Sequence, residues 1–106
     1  MKELSQMVAE ITTLLQAHAF DSEAHDKVAP LVANNSILLN HLYEDMGFSS
    51  REQMNVFMKK NFPTLAMQKP SDKRWKKFLF DEIGEIAPAC AFCGDVTNCH
   101  VCNIVN

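Results

Sequence analysis

Four cysteines stand within thirteen residues near the end of the chain, in the segment CAFCGDVTNCHVC, spaced Cys90-x2-Cys93-x5-Cys99-x2-Cys102. Two residues between cysteines let both thiolates reach one metal or cluster from a single turn. Thiolates are soft ligands that suit iron–sulfur clusters, Zn and Cu(I). Two such pairs supply four ligands, enough for one tetrahedral Zn or one 4Fe–4S cluster. The five-residue gap is short for a zinc ribbon, whose paired knuckles generally sit on separate hairpins. A redox dithiol is a further use of Cys-x2-Cys, but it should open a helix beside a strand, and no βαβ texture accompanies it. His100 lies in the same loop as a ligand, a donor to a cluster sulfide or an exposed side chain. Asp95 and Glu85 are the oxygen ligands available to molybdenum or another hard metal. Gly94 eases the turn after Cys93, and Pro88 stiffens the approach.

Composition sets the compartment and scale in which these thiolates work. A chain of 106 residues, 47% hydrophobic, forms one domain with a modest core rather than a disordered chain. No stretch approaches the 18 or so apolar residues of a membrane span. The N-terminal segment carries Glu3 and Glu10 and does not read as a secretory signal. The expectation is a cytoplasmic protein with no membrane partner, and there thiols stay reduced, so clustered cysteines favour metal over disulfides. The formal net charge of −3 argues against nucleic acid and anionic membranes as partners.

The elements that must position the cysteines read as helices. Only three glycines and many Leu, Met and Ala lean the chain toward helix. Leu4, Met7, Val8, Ile11, Leu14 and Leu15 recur at spacings of three and four, which places an apolar stripe on one helical face. Asp21 or Ser22 caps a second helix through about Ala33, and Pro30, lacking a backbone donor, should bend or end it. The third helix starts from caps at Asn34 or Asn35 and stops at Gly47. Ser49 with Glu52, or Ser50 with Gln53, forms a capping box for the next helix, whose core positions are Met54, Phe57 and Met58 and which finishes near Asn61. TLAMQKP reads as a connector. Ser71 or Asp72 then caps a last helix with Trp75, Phe78, Leu79 and Ile83 on its buried stripe. The expectation is an all-α fold, a bundle of about five helices over residues 1–84. The cysteine-rich, metal-binding tail of 85–106 has an irregular loop texture and packs on it. Such a tail cannot build a core alone, and a bound metal supplies the missing cross-links.

Half of the ten basic residues lie at Lys69, Lys73, Arg74, Lys76 and Lys77, whereas residues 81–106 hold four acidic residues and no Lys or Arg. The basic run is a solvated helix face, a docking surface for an acidic protein or a patch that attracts an oxyanion; Lys73, Arg74, Lys76 and Lys77 are its candidate residues. His18 and His25 read as surface or capping groups and His41 as a structural histidine. No Ser-His-Asp set, phosphate-binding glycine loop or HExxH helix is present, so no enzymatic role is expected.

The blocks NHLYEDMGFSSREQMNVFMKKNFPTLA, KRWKKFLFDEI and APACAFCGDVTNC, in this order and at these separations, resemble the NifQ family of nitrogen-fixation proteins. The resemblance covers about residues 34–102 and leaves the N-terminal third unassigned. It implies a non-enzymatic iron–molybdenum–sulfur carrier that supplies molybdenum for assembly of the nitrogenase iron–molybdenum cofactor. The implied partners are the cofactor scaffold complex, the nitrogenase iron protein and molybdate-derived metal. The family pattern, Cys-x4-Cys-x2-Cys-x5-Cys, matches Cys90, Cys93 and Cys99 with its last three cysteines. Its first falls at Glu85, and Cys102 lies beyond its last. The rival expectations are a zinc-stabilised interaction module and a 4Fe–4S electron-transfer or redox-sensing protein.

Overall fold

The first apolar stripe becomes the spine of the molecule. In the computed structural model, which describes residues 3–38, 40–71 and 73–85, Met7, Ile11 and Leu15 are buried along one face of α1 (Leu4–Ala17), with Val8 and Leu14 packed at its flanks. That periodicity, three and four residues, holds the same side of a 3.6-residue helix against its neighbours. Leu4 falls at the frayed start and is exposed.

Asp21 caps the following segment as expected, its Oδ1 accepting the Ala24 N–H at 2.8 Å. Pro30 does not end this segment. The backbone widens into a π turn at Ala24–Val28, where the Ala29 N–H bonds the Ala24 carbonyl five residues back. It then continues as α2 (Ala29–Ser36) with Pro30 in the first turn. A wider turn upstream and a first-turn position together remove the proline's cost, because there its missing donor would have had no regular helical partner. Asn34 and Asn35 are consequently inside α2, not caps of a third helix. Their side-chain amides bond back to the Pro30 and Leu31 carbonyls. Ala29, Val32, Ala33 and Ser36 form the buried face of α2, which packs on α1.

The third helix is therefore short. α3 (Leu42–Asp45) starts from His41, whose N–H is accepted by the Glu44 carboxylate, and it stops where Gly47 was expected to stop it. Gly47 has φ of +85°, and the Phe48 N–H reaches the Tyr43 carbonyl while the Gly47 N–H reaches that of Glu44. These two bonds make a Schellman motif, which needs the left-handed conformation that glycine adopts without a Cβ penalty.

Of the two capping pairs, Ser50 with Gln53 opens α4 (Arg51–Asn61): Ser50 Oγ accepts the Gln53 N–H, and Gln53 Oε1 accepts from Ser49 rather than from Ser50. Met54 and Met58 are buried on α4 and Phe57 partly so. The stretch expected to be a connector is helical instead, as α5 (Pro63–Gln68). Pro63 fits the first helical position, and burial of Leu65 offsets the ordering of a single extra turn. Phe62, fully buried, is the corner between α4 and α5.

α6 (Trp75–Glu82) begins later than the sequence suggested. Arg74 is its N-cap with no side-chain cap bond, Ser71 takes no part, and Asp72 lies outside the described residues. Trp75, Phe78 and Leu79 are buried as expected, and Ile83 packs partly against the core. Trp75 Nε1 donates to Asn55 Oδ1 at 2.8 Å, tying α6 to α4. Phe80 and Lys76 are buried as well. The Lys76 ammonium has three hydrogens and meets three oxygens: the Leu38 carbonyl at 2.8 Å, the Asn40 carbonyl, and Asp45 Oδ2 at 2.9 Å. Both side chains of this ion pair are under 10% exposed.

Among the described residues the fold is all-α, with no strand, and no helix is long and apolar enough to cross a membrane. Of the tail expected over 85–106, Glu85 is described and 86–106 lie outside the described residues.

Removing one partner of a buried pair strands the other without compensation, at a cost of about 3–5 kcal/mol. Lys76→Met should therefore lower the free energy of urea unfolding by about that amount. The double variant Lys76→Met/Asp45→Leu should recover much of the loss. A single-variant loss below about 1 kcal/mol would show that the pair does not anchor α6.

Candidate metal centre

Cys90, Cys93, Cys99 and Cys102, with His100 and Asp95, all fall in the segment outside the described residues. Among the described residues, no group of three or more His, Cys, Asp or Glu is placed to hold a metal ion. What the structure supplies is the platform from which the cysteine segment departs. α6 ends in a second Schellman motif, with Gly84 at φ +74°, its N–H on the Asp81 carbonyl, and the Glu85 N–H on the Phe80 carbonyl. Glu85, where the resemblance implies the family's first cysteine, is half-buried just beyond the end of α6, five residues before Cys90.

The basic run divides. Lys76 is not part of a docking or anion-attracting surface: it is 7% exposed and its ammonium is enclosed by the three oxygens of the inner anchor. It lies three residues before Leu79 and four before Phe80, which places it within the apolar stripe. That spacing was the sequence signal for its burial. Lys73 and Lys77 share one carboxylate, at 2.8 Å and 3.5 Å from the two oxygens of Asp81. Lys69 sits over the Trp75 ring, its Nζ 5.5 Å from the centroid.

Arg74 instead meets His41. One of its terminal nitrogens is 3.3–3.4 Å from both imidazole nitrogens. An approach in the ring plane that was equidistant from both would collide with the carbon between them, so the guanidinium lies over the ring face. The His41 and Tyr43 rings are 6.1 Å apart and 9° from parallel, and the Arg51 guanidinium is 4.9 Å from the Tyr43 centroid. Burial holds the His41 pKa below its ordinary value of 6.5, and the positive charges of Arg74, Arg51 and Lys76 depress it further against the opposing pull of Glu44. This row joins α3, α4 and α6. Sequence reading missed Arg51 and Tyr43; an arginine immediately after a serine cap, where helices favour acidic residues, was the available signal. His18 caps the end of α1 and bonds Thr64, and His25 pairs with Asp26 at the surface.

A family model described as NifQ matches residues 1–101. The chain belongs to the NifQ family. It is 31% identical to protein NifQ of Klebsiella pneumoniae over 80 residues, 68% of this chain and 48% of the relative. Against protein NifQ of Azotobacter vinelandii it is 31% identical over 93 residues, 81% of this chain and 48% of the relative. For protein NifQ of Rhodobacter capsulatus the figures are 29% over 101 residues, 89% of this chain and 56% of the relative. The chain thus spans about half the length of these curated relatives. No solved structure matches it.

The NifQ match is consistent with a role in nitrogen fixation and reaches back through α1 and α2, which the sequence blocks had left unassigned. It ends one residue before Cys102, so this cysteine stands outside the matched region, as its position beyond the family pattern implied.

The His41 row gives this platform a pH dependence. Because the folded pKa is lowered, the unfolded chain binds the proton more readily in the window between the folded value and 6.5. The contribution of His41 to stability is therefore complete above that window and is lost as pH falls through the folded pKa. The difference in urea stability between the parent chain and His41→Gln should shrink on going from pH 7.5 to pH 5. A difference that stays constant would show that His41 titrates alike in both states.

Proposed function

We propose that this NifQ-family chain is a metal carrier that supplies molybdenum for assembly of the nitrogenase iron–molybdenum cofactor. The observation that carries the reading is the four-thiolate segment attached to a NifQ-family helical body. Thiolates are the donors suited to an iron–sulfur core, and four of them complete the coordination of one cluster. Cys90, Cys93 and Cys99 are its constant ligands and Cys102 the fourth, replacing the cysteine that the family has where this chain has Glu85. Molybdenum is the cargo, taken up from molybdate-derived metal and passed on.

Transfer requires a ligand that can leave, and an off-pattern fourth donor is suited to that. His100 is the first candidate for a donor to the cysteine sulfurs, where a hydrogen bond tunes how tightly metal is held. Asp95 and Glu85 are the oxygen donors available to molybdenum. The body needs no catalytic group for this work, and the role is non-enzymatic. Its partners are the cofactor scaffold complex and the nitrogenase iron protein, in the cytoplasm, without nucleic acid or membrane. With Lys76 inside the fold, the basic residues left for cargo or partner are Lys73, Arg74 and Lys77.

Anaerobically purified protein should contain iron and acid-labile sulfide together with molybdenum, measured per chain in one sample. Zinc alone would replace the carrier by a zinc-stabilised module, and iron and sulfide without molybdenum by a 4Fe–4S redox protein. Cys93→Ala should empty the site in the same assay. Cys102→Ala should lower iron content; full retention would assign the fourth position to Glu85 or leave it open.

A further inference from the structure

The outer face of α4 carries apolar surface that the helical body does not use. Glu52, Val56, Lys59 and Lys60 are all exposed, at spacings of three and four residues that line one side of the helix. Val56, near the middle of that side, is 62% exposed. A β-branched residue forms helix less readily than lysine or glutamate, and here it buries nothing in return.

A second such side chain stands at the end of the same helix. Phe20, in the loop after α1, donates its N–H to the Asn61 carbonyl at 2.8 Å and so satisfies one of the carbonyls that the last turn of α4 leaves open. His18 Nδ1 and Thr64 Oγ1, hydrogen-bonded at 2.7 Å, tie the same loop to the first turn of α5. Any residue except proline could supply the Phe20 N–H. Capping therefore accounts for the backbone of Phe20 and not for its side chain, which is 71% exposed.

Charge narrows what could cover these residues. Along α4, Lys59 and Lys60 follow Val56 and precede Asn61, so two ammoniums lie between the exposed valine and the end that Phe20 caps. Lys73, Lys76 and Lys77 are each held by Asp81 or Asp45, but among the described residues no carboxylate pairs with Lys59 or Lys60. Their place in the last turn suits the helix dipole and leaves the charge facing solvent. Apolar contacts interrupted by two unpaired cations are matched by apolar side chains interrupted by carboxylates. Two lysines on a chain of net charge −3 are too few to favour nucleic acid or an anionic bilayer. Aromatic side chains are over-represented where protein partners dock.

We propose that Phe20, Val56, Lys59 and Lys60 form a docking surface for an acidic segment of a protein partner that carries apolar side chains among its carboxylates. Val56 and Phe20 supply the contact area, and the two ammoniums set the sign of charge that is accepted. The proposal does not rest on the carrier reading, since none of these residues is a candidate metal ligand.

The test is a titration of the isotopically labelled full chain with a synthetic helical peptide of leucines flanked by glutamates, read by amide chemical shifts. Shifts should centre on Phe20, Val56, Lys59 and Lys60, and the same peptide with lysine for glutamate should not produce them. Phe20→Ser keeps the capping N–H and Val56→Gln is a better helix former, so both variants keep the fold. Together they should weaken binding about tenfold or more, as loss of central apolar contacts does. Lys59→Gln with Lys60→Gln should weaken it about threefold, and this loss should shrink as salt is raised. Leu31→Ser, on an exposed apolar residue of α2, should change affinity less than twofold. An equal loss in Leu31→Ser would reduce the effect to general hydrophobicity and overturn the proposal. So would absence of the shifts, equal binding of the lysine peptide, or a dimer of the parent chain in sedimentation that Phe20→Ser dissolves, which would assign the surface to a second copy. Iron and molybdenum content of the Phe20→Ser chain should equal that of the parent, whichever metal the parent holds.

Discussion

A buried ammonium organises this fold. Taking a lysine out of water costs several kcal/mol unless every hydrogen of the ammonium finds an oxygen and the charge finds a counter-charge. Lys76 meets both conditions, but only when three pieces of chain are in place at once: the end of the α2 segment at Leu38, the turn at Asn40, and Asp45 on α3. An apolar residue at this position would accept many arrangements of the 38–45 segment; a lysine accepts very few. The arrangement that satisfies it also sets His41 and Tyr43 beside α6, where Arg74 closes over the imidazole. The cationic row is thus a by-product of the anchor, and the direction in which α6 leaves the body is set by the same bonds.

Trp75 and Phe78 add the apolar half of this docking, edge to face with ring centroids 5.8 Å apart, and the indole N–H is satisfied by Asn55 on α4. The helix that leads to the cysteine segment is therefore held from two sides, by charge toward α3 and by aromatic packing toward α4. For a NifQ-family chain this puts Glu85, the last of the described residues, in a defined place relative to the His41 row.

Much of this was legible in the residues. The stripe of α1, a cap at Asp21 or Ser22, the Gly47 stop, a capping pair starting at Ser49 or Ser50 and the end of α4 before Pro63 all follow from local rules, because each depends on side chains within one or two turns; the structure chooses Asp21 and Ser50. The differences arose where distant contacts overrode a local signal. Pro30 reads as a terminator until the π turn upstream makes room for it. TLAMQK reads as a connector until the burial of Leu65 justifies another turn. Lys76 reads as surface charge in any window that excludes Asp45, thirty-one residues away. Of the candidate centre, the cysteine spacing was plain in the sequence, and it is also the segment that lies outside the described residues. Of the His41 row, Arg74 and His41 were singled out separately in the sequence, but their meeting and the part of Tyr43 and Arg51 were not, because the four come from three elements.

The two Schellman turns have a consequence for cooperativity. At Gly84 the last helix completes its own hydrogen bonds, and Phe80, which supplies the carbonyl for the final one, is already part of the core. Fraying of α6 must therefore break both capping bonds and lift the backbone of a core residue in the same step, so the helix end opens together with the body rather than ahead of it.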